Sequence, residues 1–507
     1  MRTAMTSPEQ PIPSSGPSVF RGALQGTVVY SIPLIGQRIA SILLYSIATR
    51  VLTTADFGML SLLEQVSAVL SLLLCGQFAA SLGYFYFHEH WQNEREYVVG
   101  TVTAGALLLG SAAGLVCWIL SGPLARDVFR SSAALHYLPI VFICMPLSFV
   151  TEALLAWLRV ADRQAVYATT NLVRLGLTVA GIGILVGVFR YHVMGYLVTT
   201  LVSLVVLTAL LTGYLFRHMR PRWSFPLFVR MLRFSMPIGV SMIAMFVINF
   251  GDQFVLAHYR SLGEVGLYGF AYRIGMIISV AYGSLHTYWS AQVYQIVRRR
   301  DSEIVFARLF TYTILLLSSV GLVLVLGTKP GFQVLFAKSF QAAVPLVPVL
   351  VAANGIRAAG EFLRCRFLAA GKPSYEAYCD WGAMAICVAL YFLLIPRYGM
   401  WGGAIATLLT FVAMGIASVV WTWRMDRYRV EGARLLKLGI VVTVIVAVYY
   451  AVPVSSLPAQ IAWSAFLLAL FPAGLWALGF PTDDEWRFLG SLLRKVSGGR
   501  LPAAGTP

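Results

Sequence analysis

Along this chain apolar residues come in runs of about twenty, set apart by short clusters of charged and turn-forming residues. Counted that way, the runs fall near 27–48, 58–87, 98–121, 137–158, 165–188, 193–216, 235–257, 265–292, 305–327, 344–368, 377–395, 401–423, 438–454 and 459–480. About twenty apolar residues suffice for one helical crossing of a bilayer. In lipid every backbone N–H and C=O must be satisfied within the protein, so long continuous runs predict helices. The pattern therefore predicts an all-α polytopic membrane protein with about fourteen transmembrane helices. Within the last pair, 438–454 is short and interrupted by Pro453.

Composition narrows the picture. Of 507 residues, 59% are hydrophobic and 12% charged, against roughly 45–50% and 25% in soluble chains. No stretch of ordinary mixed composition is long enough for an aqueous domain, so a soluble enzyme is excluded. The formal charge of +17 sits mostly in loops, which fits topology rather than nucleic acid as a partner. With the N-terminus inside, 26 of the 38 Lys and Arg fall in inside segments and 8 in outside loops, so the positive-inside rule places both termini in the cytoplasm. The six cysteines lie in apolar runs without a CxxC or a Cys/His cluster, so neither a disulfide framework nor a metal site is expected. Residues 1 to about 25 are rich in Pro and Ser and carry no small-residue cleavage site, so a removable signal peptide is not expected.

The two halves of the chain share residues at a nearly constant offset. Ser31-Ile32-Pro33 matches Ser235-Met236-Pro237, Glu152 matches Glu361, Arg163 matches Lys372, and FRYHVMGYLVTTLVS (189–203) matches PRYGMWGGAIATLLT (396–410). A repeat of six helices, an even number, enters the membrane twice from the same side, so the copies are related by an axis along the membrane normal. Parallel repeats of this kind bind substrate between lobes that rock. The expected division is a tail (1–26), a first six-helix lobe (27–216), a basic linker (217–234), a second lobe (235–424), a basic loop with two added helices (425–480) and a tail (481–507).

Eight ionisable residues lie deep within the predicted crossings: Arg38, Arg174, Arg273 and Arg357, with Glu64, Glu152, Asp252 and Glu361. Such residues are costly in a membrane and are functional or paired by default. One reading has the arginines lining a hydrated cavity and binding an anionic headgroup, because guanidinium is always charged and matches phosphate in bidentate geometry. The other has them in internal ion pairs. Arg357 and Glu361, at i and i+4, have such a pair available, whereas Arg38 and Arg273 have no local partner. Asp252, Glu361 and Glu152 are candidates for coupling to a cation, with pairing of Asp252 to Arg260 as the alternative. His88 and His90, flanking Glu89, read as a solvated loop. The sequence has no P-loop, GxSxG or HExxH, so neither ATP-driven transport nor standard hydrolysis is supported, and no cofactor is expected.

The opening IPLIGQRIASILLYSIATRVLTTADFGMLSLLEQV, with the turn Arg50-Val51-Leu52-Thr53-Thr54-Ala55-Asp56-Phe57-Gly58, resembles the first two helices of bacterial polysaccharide (O-antigen type) flippases. FSMPIGVSMIAMFVINFGDQFVLAHYRSLGEVGLYGFAYRI resembles that family's second-half signature, with Gln253 where Arg is frequent, which puts a local ion pair there in doubt. The resemblance implies the multidrug, oligosaccharidyl-lipid and polysaccharide exporter superfamily and a site in the bacterial inner membrane. It also implies a non-enzymatic flippase moving an oligosaccharide on polyprenyl diphosphate from the cytoplasmic to the periplasmic leaflet. By similarity to lipid II flippases it favours Arg38 and Arg273 for the diphosphate, with Arg174 and Arg357 as further candidates. Membrane lipid, a polysaccharide polymerase and glycosyltransferases are the implied partners. A cation-coupled exporter of organic cations with the same fold and a non-transporting scaffold of polysaccharide synthesis stay open at this point. A membrane glycosyltransferase is disfavoured by the short outside loops near 122–136 and 328–343.

Overall fold

The computed structural model describes residues 44–73, 76–87, 94–296, 302–369, 374–425 and 431–482. Arg38, Ser31 to Pro33, His88 to His90 and Lys372 lie outside the described residues, and so do the expected N-terminal tail and all but residues 481–482 of the C-terminal one. Among the described residues all regular structure is helical, and thirteen helical segments are long and apolar enough to cross a membrane. The first expected crossing reaches the described residues only as α1, 44–51.

The first half continues with α2 (Thr54–Leu73), α3 (Ser81–Phe87), α4 (Arg95–Ile119), α5 (Ala134–Val160), α6 (Gln164–Gly181, prolonged by a wide turn Ile182–Val188) and α7 (His192–His218). The second half holds α8 (Phe225–Tyr259), α9 (Leu262–Gly275), α10 (Ile277–Ile296), α11 (Ser302–Leu335), α12 (Val347–Ala369), α13 (Ser374–Tyr398) and α14 (Met400–Met425). Corresponding helices start 207–210 residues apart: Thr54 and Leu262, Arg95 and Ser302, Gln164 and Ser374, His192 and Met400. The repeat read from side chains is thus also a repeat of helix starts. Two added helices follow, α15 (Gly432–Ala451) and α16 (Leu457–Ala477).

In lipid there is little hydrophobic drive between helices, so association rests on close packing and on satisfying freed polar groups. Gly110 and Gly114 on α4 show the first device: a Cβ at either would run into the backbone of Pro146 or Phe142 on α5. The attachment of α15 and α16 shows the second. Pro330 within α11 has no N–H, so the Leu326 carbonyl four residues earlier loses its helical donor. The Tyr449 hydroxyl of α15 (3.1 Å) and the Ser464 hydroxyl of α16 (2.8 Å) both donate to that carbonyl. A small apolar core of Leu322, Leu326, Leu438, Ile445, Leu467 and Phe471 surrounds the junction.

Three local differences from the sequence reading have physical causes. Within the run 58–87 the described part of α2 ends at Leu73, and a tight turn Gly76–Ala80 leads into the separate helix α3. The stretch expected as a basic linker is helical from Phe225, because Leu227, Phe228 and Met231 form an apolar face against the first lobe while Arg230 and Arg233 stay exposed. Arg364 and Arg366, near the end of the run 344–368 and included among the 26 basic residues assigned to the inside, are buried on α12, and Arg364 pairs with Asp380 of α13 at 2.5 Å.

Candidate functional site at the lobe boundary

The site is organised by α9, whose two faces meet different halves of the molecule. Gly266, Gly269 and Arg273 face α2 of the first half, while Tyr268 and Tyr272 turn toward α8 of the second half. The α2 and α9 crossing is reciprocal. A Cβ on Gly58 would collide with the Leu262 carbonyl oxygen, and one on Gly266 with the Thr54 carbonyl oxygen. Thr54 and Leu262 are repeat mates, as are Gly58 and Gly266, so the pseudo-twofold axis runs through this contact.

Both helices start with the same local chemistry. The Asp56 N–H donates to the Thr53 hydroxyl at 3.1 Å, and the Glu264 N–H to the Ser261 hydroxyl at 3.3 Å. Each is a capping arrangement that fixes where its helix begins. At that end an aromatic plug joins the halves: Phe270 of α9 meets Phe57 of α2 at 5.5 Å, Phe336 at 4.9 Å and Phe340 at 5.1 Å between ring centroids. The Ser46 hydroxyl and the Arg50 guanidinium of α1 add bonds to the Leu335 and Val334 carbonyls, which end α11 without helical donors.

Directly beneath the plug, Arg273 crosses the boundary. Its guanidinium donates to Glu64 of α2, to the Tyr45 hydroxyl (2.8 Å) and to the Ser61 hydroxyl (3.4 Å), and it lies over the Tyr45 and Phe57 rings. The other Glu64 oxygen accepts from the Tyr196 hydroxyl of α7 at 3.1 Å. A cavity of about 150 Å³ opens here, lined among others by Leu44, Tyr45, Glu64, Thr178, Tyr196 and Arg273. Thr178 lies one turn from Arg174 on α6 and donates to its carbonyl at 2.8 Å. Residues four apart share a helix face, so α6 carries a polar stripe from the cavity to Arg174.

The other sequence candidates fall into separate arrangements. Arg174 pairs with Glu152 at 3.5 Å, both side chains about half exposed (46% and 55%). Arg357 pairs with Glu361 at 3.2 Å in a packed setting (13% and 23%) and donates to the Asn249 amide oxygen. Asp252 is fully buried: it accepts from the Tyr268 and Thr407 hydroxyls and from the Gln253 N–H. Arg260 instead donates to the Pro396 and Arg397 carbonyls, so the pairing weighed for Asp252 is not formed. Arg273, expected to lack a local partner, finds one 209 residues away in Glu64. Tyr45 and Tyr196, which complete that network, carry no signal in the sequence beyond being tyrosines within apolar runs.

The profile of the family described as Polysaccharide biosynthesis protein matches residues 23–288. No curated protein matches the chain. Among solved structures, lipid II flippase MurJ in an inward closed conformation superimposes with a TM-score of 0.69 at 12% identity, over 88% of this chain and 98% of that one. An inward-facing multidrug resistance MATE family transporter of the MOP superfamily gives 0.65 at 16% identity, over 76% and 93%. A MOP superfamily transporter from Pyrococcus furiosus gives 0.55 at 15%, over 80% and 95%. At these identities the likeness is one of fold. Taken with the profile match over more than half of its length, the chain belongs to the polysaccharide biosynthesis protein family.

Proposed function

We propose that the chain is a flippase that carries a polyprenyl-diphosphate-linked oligosaccharide from the cytoplasmic to the periplasmic leaflet of a bacterial inner membrane by alternating access. The observation that carries this reading is the placement of Arg273. It lies on the pseudosymmetry boundary, lines a cavity and has a second arginine, Arg174, one helical turn from that cavity's wall. Two fixed cations on opposite sides of a boundary can hold a diphosphate, while the polyprenyl chain stays in lipid. By the distribution of basic residues, the capped and plugged ends of α2 and α9 lie on the periplasmic side, so this arrangement has that end closed. Asp252, sealed among hydroxyl donors that include Tyr268 of the same helix as Arg273, is the residue through which a cation would bias the exchange.

A specific observation supports export of organic cations as the second reading. In the three Arg–Glu pairs formed by residues of the predicted crossings the carboxylate is the more exposed partner: Glu64 at 38% against Arg273 at 23%, and likewise Glu152 and Glu361. The family match favours the anionic substrate. Liposomes holding the purified chain separate the two. We expect a fluorescent short-chain polyprenyl-diphosphate glycan to cross and become protected from an external quencher, with no uptake of a fluorescent organic cation. Cation uptake without glycan crossing would reverse the assignment. In the same vesicles Asp252→Asn is expected to flatten the response to an imposed proton or sodium gradient while crossing without a gradient persists.

A further inference from the structure

The Glu64–Arg273 pair has a feature that neither a purely structural bridge nor a plain binding arginine requires. Glu64 belongs to α2 of the first half and is held by Tyr196 of the same half, whereas Arg273 belongs to α9 of the second. The remaining polar partners of Arg273, Tyr45 and Ser61, are neutral. The Arg273 side chain is only 23% exposed, so when Glu64 lets go another anion is favoured in its place, because a largely buried charge left uncompensated is disfavoured. Glu64 thus occupies the position an anionic headgroup would take, and its charge ties the two halves together just beneath the Phe57–Phe270 plug.

We propose that Glu64 is the internal counter-anion of Arg273, which the incoming headgroup must displace, and that this displacement releases the contact holding the periplasmic end closed. The proposal rests on reading Arg273 as the seat of an anionic headgroup. Its consequence is selectivity. Displacing a carboxylate already within hydrogen-bonding reach takes a ligand with more charge and a bidentate oxygen pair. A diphosphate meets that requirement, and a monophosphate meets it far less well. Tyr196 then retains the released Glu64 on the first half, so the pair re-forms when the ligand leaves. Glu64 is a positioning residue and contributes no covalent chemistry.

The test uses the full chain in nanodiscs with geranyl diphosphate and geranyl monophosphate as probes. Spin labels at Ser132 and Tyr398, both exposed, go on a cysteine-free background to report the separation of the halves. For the wild-type residue at position 64 we expect tenfold or greater preference for the diphosphate and a broadened label distance only when it is bound. Glu64→Gln keeps the size and the hydrogen bond to Tyr196 but not the charge. It is expected to bind both probes more tightly, to discriminate less than about threefold, and to show the broadened distance without ligand. Unchanged discrimination and an unchanged distance in Glu64→Gln would overturn the proposal. If Arg273→Gln loses binding in that case, the reading of Arg273 survives on its own. Arg273→Gln binding geranyl diphosphate as well as the wild type would remove both. Should Glu64→Gln fail to fold, Glu64→Asp, one methylene shorter, gives the same readout: reduced discrimination supports the exchange, and undiminished discrimination contradicts it.

Discussion

The two halves place a carboxylate at repeat-related positions, Glu152 on α5 and Glu361 on α12, and each meets an arginine, yet the surroundings diverge. In the first half the partner is Arg174 on the next helix, and both side chains are about half exposed. In the second half the partner is Arg357 on the same helix, packed over the Phe411 ring and bonded to Asn249. One pair is exposed and loosely held, and the other is packed into its lobe. The helix bearing Arg174 follows the same division: Thr170 is its one buried residue between Gln164 and Gly181. The difference teaches that a repeated scaffold fixes where a charge sits and leaves its exposure free to vary. In this account the exposed member is proposed to take part in substrate handling and the packed member to hold the second half rigid.

Breaking the packed pair should produce the largest loss of stability. Removing one partner of a buried ion pair costs about 3–5 kcal/mol, so Arg357→Gln is expected to lower the midpoint of thermal unfolding markedly in detergent. A midpoint equal to wild type would erase the contrast between the halves. At the boundary the halves should behave alike instead. Gly58→Ala and Gly266→Ala each force a methyl into the opposite helix backbone, and overpacking costs about 1–3 kcal/mol. Both are expected to spread the distance between labels at Ser132 and Tyr398 to a similar extent, and a strongly unequal pair of effects would show that the axis does not run through this contact. The smallest change in stability is expected for Arg174→Gln, since exposed pairs are worth about 0–1 kcal/mol. Its effect should fall on crossing of the glycan, slowed several-fold at an unchanged unfolding midpoint.

Much of the fold was legible because a bilayer demands long apolar runs. The runs 165–188 and 193–216 coincide to within a few residues with α6 and its terminal turn, 164–188, and with α7, His192–His218. The repeat was legible because a left-handed turn recurs with it: His192 has φ 45° and its mate Gly399 φ 56°. The aligned window FRYHVMGY against PRYGMWGG spans that turn. What stayed hidden are features made by tertiary contact. Glu64 was visible as an acidic residue in a crossing, but its partner is 209 positions away, and no local spacing connects them. The helical start of α8 was masked by Arg230 and Arg233, whose charge outweighed the apolar face of Leu227, Phe228 and Met231. The anchor of α15 and α16 depends on Pro330 freeing one carbonyl on α11, a consequence that only the packed helices reveal.

The most direct test of the central claim is the rate at which the fluorescent polyprenyl-diphosphate glycan crosses liposomes holding Arg273→Gln, set against wild type at matched protein content and unfolding midpoint. Loss of the boundary cation is expected to slow crossing by tenfold or more, which corresponds to about 1.4 kcal/mol or more of lost stabilisation. Crossing at the wild-type rate by a folded Arg273→Gln chain would contradict the account, because the diphosphate would then be held somewhere other than the lobe boundary.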